Sequence, residues 1–482
     1  MSNTRQYTTV IVGSGLAGLT TTLNLLEKDQ NNRNRVILIE KCNKLGGNSV
    51  KASSGINGVP TIYQTKPDSI DDFYADSIKS GKGLNNDELV HILTRESSDA
   101  INWLTQDMKI DLSEVTQLGG HSNPRTHKGE KLPPGFAIIS ALTKRLQELE
   151  EKKPEAINIL KETELTKIVY KDGIVKGVEY KQNESADSIN CDNLVLATGG
   201  FSADSRTQNS LLVKYRPDLI KFPTSNGIQT TGDGQKLAVR DCNAKLIDMD
   251  KIQIHPTGFI KIDSPNDCWK FLCGELIRGI GGILLDSNGE RFTNELGTRD
   301  HVTNDVLEHC KLGNNELGLP EDSVASVIVV SHEDYLKAKN HINFYASQKL
   351  LTKGSYIDLY NLLKKLNSRL SISVEELEQS IKSVNRFIKK EETDAIGRIE
   401  FGNSFNNEFY FGLTTPVLHF TMGGIQTTTN NQVVTCDNQV IPNLYAVGEV
   451  SGGVHGANRL GGSSLLECVV FGKRVSLNIL DK

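Results

Sequence analysis

Apolar residues along this chain fall into two patterns. Short β-branched runs, Thr9-Val10-Ile11-Val12, Val36-Ile37-Leu38-Ile39 and Leu194-Val195-Leu196-Ala197, are bounded by glycine or polar residues and predict buried strands. Longer segments repeat apolar residues at helical spacing. They predict helices over 68–110 (Leu89, Ile92, Leu93, Ile101, Leu104), 136–150 and 235–242. Ser373-Val374-Glu375-Glu376 forms a capping-box pattern ahead of the stripe Leu377, Ile381, Val384, Ile388. Asp172-Gly173 between Leu165–Tyr170 and Ile174–Tyr180 predicts a hairpin. Asn443–Val450 predicts a last strand before a closing helix, and no internal repeat is present.

The first strand runs directly into Gly13, Gly15 and Gly18, spaced G-x-G-x-x-G, and a helix follows at once. The second strand ends in Glu40. This arrangement suits a dinucleotide: a tight turn at Gly13, backbone approach to a pyrophosphate at Gly15 and close helix packing at Gly18. Helix N-terminal N–H groups attract the anion, and Glu40 can accept from both ribose hydroxyls. The turn alone leaves NAD and FAD equally open.

Further glycine-rich stretches follow. Lys41–Ser49 with Ala52–Gly58 reads as a cradle for phosphate or a flavin ring, against the plainer reading of an extended loop. Ala197-Thr198-Gly199-Gly200 is a second place for close backbone approach, and Thr230–Gly234 precedes a helix. The polar run Gly119–His127, with two histidines and an arginine, fits either a site border or a solvated surface. From about residue 252 the character changes, and 303–395 is richer in Lys, Asn, Glu and Ser; near 399 the glycine-rich style resumes. The expected architecture is α/β: a doubly wound Rossmann-like cofactor domain (1–251 and 399–482) with an inserted α+β capping domain over 252–398.

Composition narrows the function classes. The chain has 482 residues, a net charge of −5 and no basic tract, which argues against nucleic-acid and membrane-surface partners. An anionic substrate therefore needs a local arginine cluster. The 8 cysteines include no CxxC, which argues against a zinc ribbon, a cysteine-ligated iron–sulfur cluster or c-type haem. Free thiols point to a reducing compartment. Met1–Gln6 carries no signal or transit pattern, so a cytoplasmic location is expected, organellar if a leader was trimmed.

The N-terminal unit, Gly46-Gly47-Asn48-Ser49, Ala197-Thr198-Gly199-Gly200, His255-Pro256-Thr257, His419-Phe420-Thr421-Met422-Gly423-Gly424 and the run Gly448–Ser464 occur together and in order. Over essentially its whole length the chain resembles the FAD-dependent fumarate reductase/succinate dehydrogenase flavoprotein family. It is most similar to the soluble, yeast-type fumarate reductases and to the flavodehydrogenase part of flavocytochrome c. The resemblance implies FAD contacts at Gly13, Gly15, Ala17 and Gly18, at Glu40 and Lys41, and at Gly47, Asn48, Ser49, Ser53, Ser54, Gly55 and Asn57. Further contacts are implied at Leu165, Ala197, Thr198, Gly199, Gly200, Thr231, Gly232, Asp233, Gly448, Glu449, Ser464 and Leu465. It implies substrate contacts at His255, His419, Arg459 and Gly462, and a proton path through Glu275 and Arg278 to Arg299 as donor. No other metal is implied beyond a sodium ion near Met422 and Glu449.

Expected from the resemblance is reduction of fumarate to succinate, by hydride from N5 of reduced FAD and protonation by Arg299. No haem or iron–sulfur motif is present, so the electron donor is expected to be reduced free flavin or a reductase. Asn48 stands where membrane-complex relatives carry the histidine that binds FAD covalently, so non-covalent FAD is expected. Gly274 replaces a threonine of bacterial relatives and leaves one carboxylate contact open, to backbone N–H or water. Two alternatives stay open: another α,β-unsaturated carboxylate as acceptor, and a flavin-binding redox sensor without turnover. Taken singly, Glu275–Arg278 also fits a surface ion pair, His255 and His419 fit core histidines, and His455 fits a brace for the glycine loop.

Overall fold

The computed structural model describes residues 6–205 and 209–481; the reading of Met1–Arg5 lies outside them. Strands Tyr7–Val12, Asn34–Ile39, Ile157–Leu160, Asn193–Leu196 and Val440–Ala446 form a parallel sheet, with Gln432–Val434 as an antiparallel edge. Their period-two alternation splits two buried faces, which is why they read as continuous apolar runs. Ile11, Val36, Leu38 and Val195 face the helices Leu16–Lys28 and Ser463–Leu480. Val10, Val12, Ile37, Ile39 and Leu194 face the helix Asp233–Cys242 and a three-stranded sheet. The predicted hairpin supplies that sheet, as Thr163–Lys171 and Ile174–Gln182, and Ser185–Asn190 adds a third strand.

A second, antiparallel sheet runs in the order Ile252–Phe259, Phe409–Thr421, Ser326–Ser331, Ile283–Leu285. Helices Tyr356–Leu366 and Val374–Ile388 cover one face. Glu275–Gly279, Arg299–His309 and Lys339–Ser347 cover the other. The capping box forms as read: Ser373 Oγ accepts from the Glu376 N–H at 3.1 Å, and Glu376 accepts from the Ser373 N–H at 2.7 Å. Leu377, Ile381 and Val384 are buried, and Ile388 is half-buried.

Three readings change. The helix expected over 68–110 is broken into Ile70–Ser80, Asp87–Arg95 and Ser97–Asn102, followed by a π-helical turn Trp103–Asp107. Left-handed backbone at Lys82 (φ 55) and Gly83 (φ 72) ends the first, and Asn86 caps the second. The return to the cofactor domain expected at 399 meets Phe409–Thr421, a central strand of the second sheet. Its glycine serves packing there, since a Cβ at Gly412 would lie 2.2 Å from the Leu350 carbonyl oxygen. Gly119–His127 is solvated only in part: Gly120 and Ser122 are exposed, but His121, Arg125 and His127 are buried, and Thr126–Lys128 is a strand.

No helix among the described residues is long and apolar enough to cross a membrane. At the opening turn, a Cβ on Gly18 would lie 1.9 Å from the Gly13 carbonyl oxygen. Gly18→Ala is therefore expected to destabilise the fold by about 1–3 kcal/mol or more, read as a fall in thermal unfolding temperature.

Candidate active site

An elongated cleft, about 1560 Å³ with its mouth, runs across the carboxyl ends of the parallel strands. That is where open α/β sheets bind ligands. At one end the Glu40 carboxylate is fixed by the turn: Oε2 accepts from the Ser14 N–H (2.9 Å) and hydroxyl (2.5 Å), and Oε1 from the Cys42 N–H (2.8 Å). Lys41 pairs with Asp233 and with the Thr231 hydroxyl. In the middle, Asn48 donates to Asn226 Oδ1 (2.6 Å) and Thr230 Oγ1 (2.7 Å) and accepts from the Gly227 N–H (2.9 Å). Ser49 Oγ accepts from the Leu16 N–H at the helix start. Ser53 Oγ and Thr198 Oγ1 line the cleft, buried and without partners, as a site built for a polar ligand leaves them.

The other end is charged. Arg299 and Arg459 both line it, with His419 and Phe420. Arg299 Nη1 and Arg459 Nη2 donate to the same oxygen, Oε1 of Gln253, at 2.8 and 3.2 Å. The Gln253 amide nitrogen donates in turn to Asn458 Oδ1 and the Arg459 carbonyl. Arg299 Nε donates to Glu275 Oε2 at 2.9 Å, and the Gly119 N–H to Oε1 at 2.7 Å. The Arg459 guanidinium also lies over the Phe420 ring, 4.4 Å from its centroid. Burial, then the Arg299 charge, brings Arg459 down to about 9.

His255 lies behind the wall, its ring edge-on to His419 at 5.3 Å. The Thr257 N–H donates to His255 Nδ1, which places the ring proton on Nε2, and that buried atom has no partner. Burial, then the Arg299 charge, holds both histidines well below the usual range, so both are neutral. Burial pushes Glu275 up, but the charges of Arg299 and Arg278 and two hydrogen bonds outweigh it and hold the carboxyl below its usual value. Arg278 is buried, donates to the Glu295 carbonyl and leaves Nε and Nη2 unpartnered.

Most expected cofactor residues line the cleft: Gly13, Gly15, Ala17, Glu40, Lys41, Gly47, Asn48, Ser49, Ser53, Ser54, Gly55, Leu165, Ala197, Thr198, Gly199, Asp233, Gly448, Glu449, Ser464 and Leu465, with Gly462 of the substrate set. Gly18, Asn57, Gly200, Thr231 and Gly232 sit behind the wall. Asn57 donates to the Gly461 carbonyl and Ser463 Oγ, and Gly200 leaves room for Glu449, whose Oε1 would lie 2.3 Å from a Cβ there. Glu275 and Arg278 are buried, so they are no surface pair. The Gly274 N–H, a candidate replacement for the lost threonine contact, donates to the Tyr345 hydroxyl at 3.1 Å. Near the expected sodium position, Glu449 Oε1 accepts from the Thr421 N–H and hydroxyl. His455 braces the loop through Glu467 at 2.9 Å.

Gln253, Ser14, Asn226 and Phe420 were missed. For Gln253 the signal was present: two positions before His255 on one strand, it projects to the same side.

The FAD binding domain family model matches residues 8–465. The chain is 41% identical to fumarate reductase 1 of Saccharomyces cerevisiae, over 98% of both chains. It is 38% identical to the fumarate reductase of Schizosaccharomyces pombe, over 98% of this chain and 89% of that one. Among solved structures it is similar to the open conformation of a flavocytochrome c3 fumarate reductase, with a TM-score of 0.75 and 28% identity, over 100% of this chain and 79% of the other.

Glu449 offers a test of the cleft's electrostatics. Burial raises its carboxyl from 4.5 to about 7. The folded state thus binds the proton more tightly than the unfolded state. The stabilisation is full below about pH 4.5 and is lost as pH rises through about 7. In protein stripped of bound small molecules, this is expected to lower stability by roughly 3 kcal/mol across that window. Glu449→Gln should flatten that slope in urea titrations at stepped pH.

Proposed function

The chain belongs to the FAD binding domain family, and from that premise we propose that it is an FAD-dependent oxidoreductase that reduces fumarate to succinate. One observation carries the substrate class. Two buried guanidinium groups share a single neutral acceptor, with unused donors at Arg459 Nε and His255 Nε2 beside them. Such a site is satisfied by a small dianion. The yeast relatives, both fumarate reductases, point to the same acceptor.

FAD fits the cleft: the Glu40 end suits the adenosine, the Gly13–Gly15 backbone the pyrophosphate, and the unpartnered Ser53 and Thr198 hydroxyls the flavin portion. Bound there in its reduced form, FAD would supply a hydride to one carbon of the double bond and be left oxidised. Asn48 has no ring nitrogen to bond the flavin, and its amide is already engaged by Asn226 and Thr230, which supports non-covalent binding. The second sheet and its helices form the capping unit, supplying His255, Glu275, Arg278, Arg299 and His419.

The residues then divide the work. Arg459 binds one carboxylate through its planar fork, and His255 and His419 donate as neutral imidazoles. Charge that moves onto a carboxylate during reduction meets donors already in place. Arg299 gives its proton to the second carbon. A guanidinium is a weak acid, with a pKa of about 12 or more, but an enediolate-like carbon is basic enough to take its proton. Glu275, bonded to Arg299 Nε, returns a proton, with Arg278 behind it as source. Reduced free flavin or a separate reductase supplies the electrons. The free cysteines support a reducing, cytoplasmic setting.

Anaerobic oxidation of reduced viologen by fumarate tests the reading. Turnover is expected with wild type, and a far higher kcat/KM for a monocarboxylate would replace the proposed substrate. Arg299→Lys is expected to lower kcat by about a thousandfold at unchanged FAD content. Gln253→Leu, which strips both guanidinium groups of their shared acceptor, should lower kcat/KM by about tenfold or more.

A further inference from the structure

We infer that the loop from Gln117 to Arg125 is a positioning strap for the reaction site: through Gly119 it fixes the Glu275 carboxylate, and through His121 it fixes the Gly461 carbonyl beside Arg459. The inference rests on the proposed proton path through Glu275 and Arg299.

The segment is polar and partly exposed, yet Leu118, His121 and Arg125 are buried. Arg125 is 0% exposed and His121 6%. Arg125 Nε and Nη2 bind Asp68 bidentately at 2.8 Å each, and Nη1 donates to Asp76 at 2.5 Å. Nη1 also contacts His121 Nδ1 at 3.3 Å. A guanidinium only donates, so Nδ1 is the acceptor and the ring proton sits on Nε2. Nε2 then donates to the Gly461 carbonyl at 3.0 Å. Burial, then the Arg125 charge, brings His121 down to about 4, so this tautomer persists at neutral pH. The ion cluster thus sets the direction of one hydrogen bond at the active-site turn.

The same strap reaches Glu275. Its two carboxylate oxygens are divided, Oε1 to the Gly119 N–H and Oε2 to Arg299. Glycine is required at 119, where a Cβ would lie 2.8 Å from the Gly297 carbonyl and 3.0 Å from Glu275 Oε1. A Cβ at Gly461 would lie 2.7 Å from Leu118 Cδ1 and 3.3 Å from both Arg299 Nη2 and Glu275 Oε2. Strap, turn and proton path therefore interlock. Asp68 and Asp76 belong to the cofactor side, Glu275 and Arg299 to the capping side. Holding both sides together orients the acid. The buried triad costs desolvation energy that a hydrophobic core would avoid, and a fixed geometry is what it provides in return.

Arg125 variants risk misfolding, so His121 is the position to change, in FAD-loaded enzyme. His121→Leu removes the donor, and His121→Gln keeps an amide that can reach Gly461. The charges facing Glu275 are Arg299, Arg278, Arg459 and neutral His121. His121→Leu is expected to speed amide exchange across 117–121 without substrate. It should also lower kcat about ten- to a hundredfold, the range for a small misplacement far from the chemistry. The acid limb of the kcat–pH profile should move to higher pH, because Glu275 loses a hydrogen bond that stabilises its charge. His121→Gln should restore most of each. Unchanged exchange, or an unchanged kcat and acid limb per bound flavin in His121→Leu, overturns the strap. Wild-type inactivity toward fumarate overturns the functional reading alone, because the exchange comparison needs no turnover.

Discussion

Two guanidinium groups donate to one oxygen atom, and the rest of the charged end is arranged around that fact. Sharing Gln253 Oε1 keeps the nearest nitrogens of Arg299 and Arg459 no more than about 6 Å apart. At an effective dielectric constant of about 20, two unit charges at that distance repel by roughly 3 kcal/mol. Burial adds to the cost, and the strain is visible in Arg459, brought down to about 9. Glu275 is the one carboxylate hydrogen-bonded to either arginine among the described residues. Glu449 and Glu467 also face Arg459 without a hydrogen bond to it, and Arg278 adds a positive charge beside Glu275. In the proposed reading, an anionic substrate adds negative charge at this end of the cleft.

Such an arrangement needs rigid support, and the second sheet provides it. Gln253 and His255 lie on one strand, and His419 lies on the strand paired with it, where Ile254 registers against Leu418. Arg299 opens a helix that packs on that sheet, while Arg459 comes from the glycine-rich turn of the first sheet's closing helix. The site thus exists only where the two sheets meet. Glu275, Arg278 and Arg299, far apart or merely adjacent in sequence, become one buried electrostatic unit through this packing.

What could be read from the chain follows from how local each signal is. The turn at Gly13–Gly18, the hairpin at Asp172-Gly173 and the box at Ser373–Glu376 are set within a few residues, and each forms as read. The glycine-rich cradle was legible for the same reason. Readings that depended on distant partners fared otherwise. Arg125 is an ordinary polar residue until Asp68 and Asp76 pair with it, and His121 and His127 then bond to Arg125. Glycine near 399 pointed to the cofactor domain, yet Gly412 makes room for the Leu350 carbonyl. Gln253 is signalled only by its place two positions before His255, and its contact with two arginines arises when they converge on its oxygen. Helical periodicity over 68–110 was real, but Lys82-Gly83 breaks it with left-handed backbone that apolar spacing does not report.

Buried charge also explains how one scaffold could separate a dicarboxylate from related acids. In the proposed reading, an acid whose carboxylate does not reach Arg459 would leave that guanidinium desolvated with no hydrogen-bonded carboxylate, while Arg299 keeps Glu275. Truncating one side of a buried pair costs far more than the pair is worth, commonly 3–5 kcal/mol. That bears on Gly274, which has no side chain to offer and whose backbone N–H is already bonded to Tyr345. A lost neutral hydrogen bond is worth about 1 kcal/mol, small beside the penalty for an unpaired arginine. In the proposed reading, charge at Arg459, more than the count of contacts, is what draws an acidic substrate to this cleft.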